Sequence, residues 1–118
     1  MSEQVVVFEI KEYMIIWRQL EHRDINGVTI ALRGLVRCMG DEHEMDVFFL
    51  APDSPVPAPV YDVPNKRGMM FLPISDIAAF VDTLRNEAPI YGHLRGDNPE
   101  WTSVTTSNEP VGENEVHH

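Results

Sequence analysis

Ser75-Asp76-Ile77-Ala78-Ala79-Phe80-Val81-Asp82-Thr83-Leu84-Arg85-Asn86-Glu87-Ala88 is the stretch whose reading decides the architecture. Ile77, Phe80, Val81 and Leu84 fall at i, i+3, i+4 and i+7, with Asp82, Thr83, Arg85 and Asn86 opposite. That is the stripe of an amphipathic helix. Ser75 is placed to accept an N–H of the first turn, Asp76 suits the positive end of the dipole, and Pro89 stops the run. The spacing predicts a helix over Ser75 to Ala88 that packs on a sheet through Phe80 and Leu84.

What precedes it reads as strand. Asn26-Gly27 tolerates the positive φ angles of a tight hairpin. Val28, Ile30 and Leu32 then alternate with Thr29, Ala31 and Arg33, the period of a half-buried strand. Gly34 interrupts that run and the apolar phase slips to Leu35 or Val36, the signature of a β-bulge. Gly40 to Glu44 is a second turn, and Met45 to Leu50 pairs back as a hairpin. Met69 to Leu72 and Ile90 to Leu94 are further short strands, and Gly96 to Pro99 is a turn.

Val5 to Leu20 supports two readings. As a helix it lines up Ile10, Tyr13, Met14, Trp17 and Leu20 in one stripe. As strand it is rich in β-branched and aromatic residues. No helix-start residue lies between Phe8 and Ile10, which favours one long bent strand or two abutting ones.

Ala51 to Lys66 carries Pro52, Pro55, Pro57, Pro59 and Pro64. Each proline removes a backbone donor, so this segment is a surface connector and not a central strand. Val56, Val60, Tyr61 and Val63 are its candidate anchors, and Pro52 to Pro55 has P-x-x-P spacing. The expected fold is α+β: a curved antiparallel sheet, a meander of about four to five strands, with one main C-terminal helix on a face. Residues 1–104 form a single domain, and 105–118 form a mobile acidic tail.

The chain has 118 residues, with 9 bases against 19 acids, a formal charge of −10. Affinity for phosphate backbones comes from clustered Lys and Arg, so this balance argues against general nucleic-acid binding. Five acids and no base lie in 97–118. Cys38 stands alone, which excludes an intrachain disulfide and suits a small buried hydrophobe. There is no basic start followed by an apolar run, and no apolar stretch near the ~20 residues that span a bilayer. The expectation is a cytoplasmic protein with no membrane partner. In that setting Arg95-Gly96-Asp97, an adhesion tripeptide, is coincidental.

No nucleophile elbow or phosphate loop occurs, so no catalytic residue and no cofactor is expected. Cys38, Asp41, Glu42, His43, Glu44 and Asp46 are the densest ionisable cluster, but they match neither calcium nor zinc spacing. No metal is assigned, and the cluster reads as an exposed acidic hairpin turn that discourages edge-to-edge pairing.

One helix covers only part of a sheet. Ile15, Trp17, Leu35, Phe49, Met69 and Met70 exceed what it hides, which predicts a homodimer. The leading reading is therefore a non-catalytic interaction, regulatory or assembly module with a protein partner at Val56, Val60, Tyr61, Val63 and Trp101. The alternative is a single-stranded nucleic-acid binder with Tyr13, Trp17, Arg18, Arg33 and Arg37 on one sheet face. A small-molecule-binding protein or enzyme is a third option. In element order alone, four strands then a helix over residues 5 to 88, the chain resembles the single-stranded-DNA-binding coactivator and Whirly class. No motif of that class is present.

Overall fold

The computed structural model describes residues 5–106. In chain order these are β1 (Val5–Ile10), β2 (Glu12–Ile25), β3 (Val28–Met39), β4 (Glu44–Leu50), β5 (Val60–Asp62), β6 (Arg67–Pro73), α1 (Ile77–Asn86), β7 (Ile90–Arg95) and β8 (Ser103–Thr106). Short 3-10 turns occupy Ile74–Asp76 and Pro99–Trp101. The class is α+β, as expected, but two sheets replace the single meander: β2-β3-β4-β6-β5 and β1-β7-β8. The larger sheet is open and shows no clear curvature.

The β2–β3 hairpin turns at Asn26 (φ 50) and Gly27 (φ 88), both in the left-handed region that Asn-Gly was predicted to supply. The bulge predicted at Gly34 also forms. Leu32 lies opposite Leu50 and Gly34 opposite Phe49, so Arg33 is the extra residue. A side chain at 34 would crowd Ile77 Cδ1, 3.0 Å from where its Cβ would stand.

The meander fails first at the connector. After Leu50 the chain leaves the sheet, returns as β5, and turns through Lys66 (φ 58) into β6. β6 then runs parallel to β4, with Glu44 opposite Arg67 and Leu50 opposite Pro73. Prolines cannot supply a ladder of donors, so the segment after β4 cannot fold straight back beside it. Its start docks on β3 instead. Ala51 N–H donates to Ala31 O at 2.8 Å, and Ala31 N–H donates to Ser54 Oγ at 2.9 Å.

It fails again at Lys11. Val5 to Leu20 is two abutting strands, and they enter different sheets: β1 pairs with β7, β2 with β3. Phe8 of β1 lies opposite Gly92, and its ring occupies the space a Cβ at Gly92 or Gly40 would need. These two glycines let the small sheet close on the large one.

The helix stands mid-chain and not at the C-terminal end, because β7 and β8 follow it. It is shorter than Ser75 to Ala88. Ser75 is spent in the 3-10 turn that takes the chain off β6, and Asp76 holds the N-cap position without a side-chain cap bond. Glu87 N–H donates to Thr83 O at 3.0 Å as the chain extends towards β7. At the other boundary, Thr105 and Thr106 continue β8, and the rest of the predicted tail lies outside the described residues.

The large sheet has two faces and each carries a core. On the first face, Val36, Cys38, Met45, Val47 and Phe49 pack under Ile77 and Leu84 of α1 and Ile90 and Leu94 of β7. On the second, Ile25, Ile30, Leu32, Leu35, Phe48, Leu50 and Phe71 form a cluster drawn only from the sheet's own strands. Most of the apolar excess is therefore absorbed within one chain. Leu35 and Phe49 are buried, and Ile15, Met69 and Met70 are half-buried; Trp17 alone of the six stays exposed. On the first face, the small sheet and α1 supply cover that was expected from a second subunit.

Candidate functional site

β2 is an edge of the large sheet: it pairs with β3, and among the described residues no strand lies on its other side. Within it Tyr13-Met14-Ile15-Ile16-Trp17 contains no charge, proline or glycine. Edge strands are normally guarded by such residues or kept short, because their free backbone groups template pairing. Met14 is 41% exposed, Trp17 66% and Leu20 53%.

Register assigns the side chains to faces. Tyr13 lies opposite Cys38 and Ile15 opposite Val36, on the first face. Met14 lies opposite Arg37 and Ile16 opposite Leu35, on the second. Regular pairing ends at Trp17, opposite Gly34, and resumes at Glu21, opposite Leu32. Arg18, Gln19 and Leu20 thus bulge from the ladder. The bulge is clamped: Arg18 Nε and Arg23 Nε both donate to Glu21, at 2.7 and 2.8 Å. These guanidinium groups, Arg18 foremost, hold the Glu21 carboxyl below its ordinary range.

Beside β2 on the second face runs a ladder of charge. Arg37 grips Asp46 with two hydrogen bonds, 2.8 and 3.2 Å. Glu44 stands 3.7 Å from Arg37 and 3.3 Å from Arg67. Asp46 is only 3% exposed, and its bond is the main reason the Arg37 guanidinium holds its proton more tightly than usual. Across the sheet, burial pushes the Cys38 thiol up to about 12, with the Asp46 charge adding to it. It stays a neutral thiol, the opposite of an activated nucleophile.

The nucleic-acid candidates do not share a face. Tyr13 points to the first core and Arg37 to the second face, where Asp46 holds it. Arg18 is bonded to Glu21, while Arg33, the bulge residue, and Trp17 are exposed. The partner-binding candidates are also divided. Val60 and Tyr61, adjacent on β5, pack against the second and the first core respectively. Val63 is exposed in the following turn, and Val56 is exposed beside a pocket of ≈ 430 Å³ lined by Leu50, Phe71, Leu72, Pro73 and Ile74. Trp101 belongs to the turn before β8, with the Arg95 guanidinium 4.8 Å over its ring.

In the adhesion-like tripeptide, Arg95 and Asp97 bond each other twice, at 2.9 and 2.7 Å, and Arg95 holds the Asp97 carboxyl down to about 2. In the acidic turn, Asp41 meets Lys11 at 3.1 Å and Glu42 meets Lys66 at 3.4 Å. Asp46 departs from the expectation of exposure, since it is buried as the third residue of β4.

Among the described residues no group of three or more His, Cys, Asp or Glu is placed to hold a metal ion, and no helix is long and apolar enough to cross a membrane. Neither the family models, nor the curated proteins, nor the solved structures compared with this chain give a match. Sequence reasoning overlooked Met14 and Leu20 as surface residues, because their helical spacing with Trp17 resembled a buried stripe. The available signal was the long charge-free run beside them.

Proposed function

We propose that the chain is a non-catalytic cytoplasmic interaction module that assembles as a homodimer through the β2 edge. The observation that carries this reading is the unguarded run Tyr13 to Trp17, with Met14 and Trp17 exposed on a strand whose second side no described residue pairs with. The opposite edge, β5, is three residues long and lies between Pro59 and Pro64, the guarded form. Edge pairing gives main-chain affinity, and flanking side chains give specificity. The buried, neutral Cys38 suits a reducing compartment and a structural role. Nucleic acid is the less supported partner, since Arg18 and Arg37 already spend their charge on Glu21 and Asp46. The pocket beside Val56 is where the small-molecule alternative would be sought.

Light scattering on the full chain tests the reading. Wild type is expected at twice 13.5 kDa and Trp17→Glu at 13.5 kDa, with unchanged circular dichroism. A wild type that stays monomeric at high micromolar concentration would overturn the homodimer.

A further inference from the structure

Resting on that reading, the inference concerns the register of the contact. We infer that the β2 edge is occupied by β2 of a second copy, antiparallel, with the twofold axis at Ile15. Glu12 then lies opposite the partner's Arg18.

Geometry limits the choices. A twofold that joins two edges into one sheet stands perpendicular to it and keeps every side chain on its own side. Directly opposed residues therefore share a face, and alternation allows an axis only at a residue position. Regular pairing with β3 runs from Glu12 to Trp17, and the bulge follows. An axis at Met14 sets Glu12 against the partner's Ile16. An axis at Ile16 sets Met14 against the partner's Arg18. Each places a charge against an apolar chain.

The axis at Ile15 sets Tyr13 against the partner's Trp17, Met14 against the partner's Ile16 and Ile15 against itself, and brings Glu12 to the partner's Arg18, the first bulge residue, whose Nε stays on Glu21 while its terminal N–H groups turn to Glu12. Opposite charges, an aromatic pair and apolar pairs are the favoured cross-strand neighbours. The charge pair occurs twice by symmetry, once at each end of the overlap. The Tyr13–Ile15–Trp17 row continues the first core across the axis, and Met14 with Ile16 continues the second. Trp17 thereby gains a ring neighbour. On the edge strand β1, an axis at Val7 sets Val5 against the partner's Glu9, and one at Phe8 sets Val7 against it.

Cysteine cross-linking reads the register. Opposed Cα atoms in an antiparallel pair are about 4.5–5.5 Å apart, inside the range a disulfide bridges. In a Cys38→Ala background, Ile15→Cys is expected to oxidise to a covalent dimer. Met14→Cys and Ile16→Cys are expected to link to each other when mixed and not to themselves. Glu12→Arg, which leaves the Arg18–Glu21 clamp intact, should raise the dimer dissociation constant about tenfold, and Glu12→Gln should raise it less. Glu12 is exposed, and circular dichroism and thermal melts confirm folding. A dimer that cross-links at another position, or a Glu12→Arg variant that dimerises as tightly as wild type, overturns the register and leaves the interaction module standing. A wild type monomeric throughout overturns both.

Discussion

On the first face of the large sheet, Phe49 meets Phe80 of α1 at 5.6 Å, and Gly68 admits the Leu94 side chain of β7. On the second, Phe48 meets Phe71 of its own sheet at 5.3 Å, with the Arg23 guanidinium 5.2 Å above its ring. One face is closed by elements the chain brings to it. The other is closed by neighbouring side chains, including a cation that covers a ring while keeping its head in water. The second face can therefore host the Arg37–Asp46–Glu44–Arg67 ladder, whereas the first holds a thiol kept from ionising. A face sealed by other elements should tolerate loss of volume less well, because its lid cannot settle into the gap.

The largest effect tests that directly. Phe49→Ala should cost about 4–5 kcal/mol in urea unfolding and Phe48→Ala about 3 kcal/mol, since Phe71 and Arg23 can relax over the smaller residue. Equal or reversed costs would end the distinction. Next is alkaline unfolding. The folded Cys38 pKa lies near 12 against an ordinary 9.0. The neutral thiol is favoured by folding, so its contribution is whole below pH 9 and is lost as pH rises towards 12. The 3-unit gap corresponds to roughly 4 kcal/mol as an upper figure. Cys38→Ala should flatten the fall of stability with pH over that window; identical profiles would place Cys38 in a wetter setting. Third, Asp46→Ala should cost about 3 kcal/mol by stranding Arg37, and Asp46→Asn less, both read by chemical denaturation. An Asp46→Ala variant as stable as wild type would mean that Arg37 simply turns to solvent.

Legibility followed locality. Asn26-Gly27 and Gly34 were readable because backbone sign and side-chain phase are set within a few residues. The helix was readable because Ile77 and Leu84 need only their own stripe. The assignment of β1 and β2 to different sheets was not, since the break at Lys11 carries no glycine or proline and is set by distant β7 and β3. The parallel pairing of β4 with β6 was likewise invisible, although the prolines did exclude a simple return. Helical spacing would set Tyr13 and Met14 in one stripe, whereas they lie on opposite faces of one strand, in keeping with the favoured strand reading. Of the candidate site, Trp17 was singled out for its chemistry. Its role as an edge residue required knowing that β2 has only one neighbour. The Arg37–Asp46 pair became legible only with the hairpin register that sets them opposite each other.

The smallest effect on folding discriminates best between the edges. Met14→Lys puts a gatekeeper charge on the second-face side of β2, at a site already 41% exposed. Val63→Lys puts the same charge next to β5. Each should change stability by less than about 0.5 kcal/mol, as surface substitutions do. Their effects on assembly should nevertheless differ. Met14→Lys faces the partner's Ile16, twice by symmetry, and should weaken the dimer at least about tenfold, near 1.4 kcal/mol. Val63→Lys should leave the mass unchanged. If both variants dissociate the dimer equally, charge alone opposes association and the contact is diffuse. If only Val63→Lys does, the short, proline-flanked edge is the true contact and the argument from edge length fails.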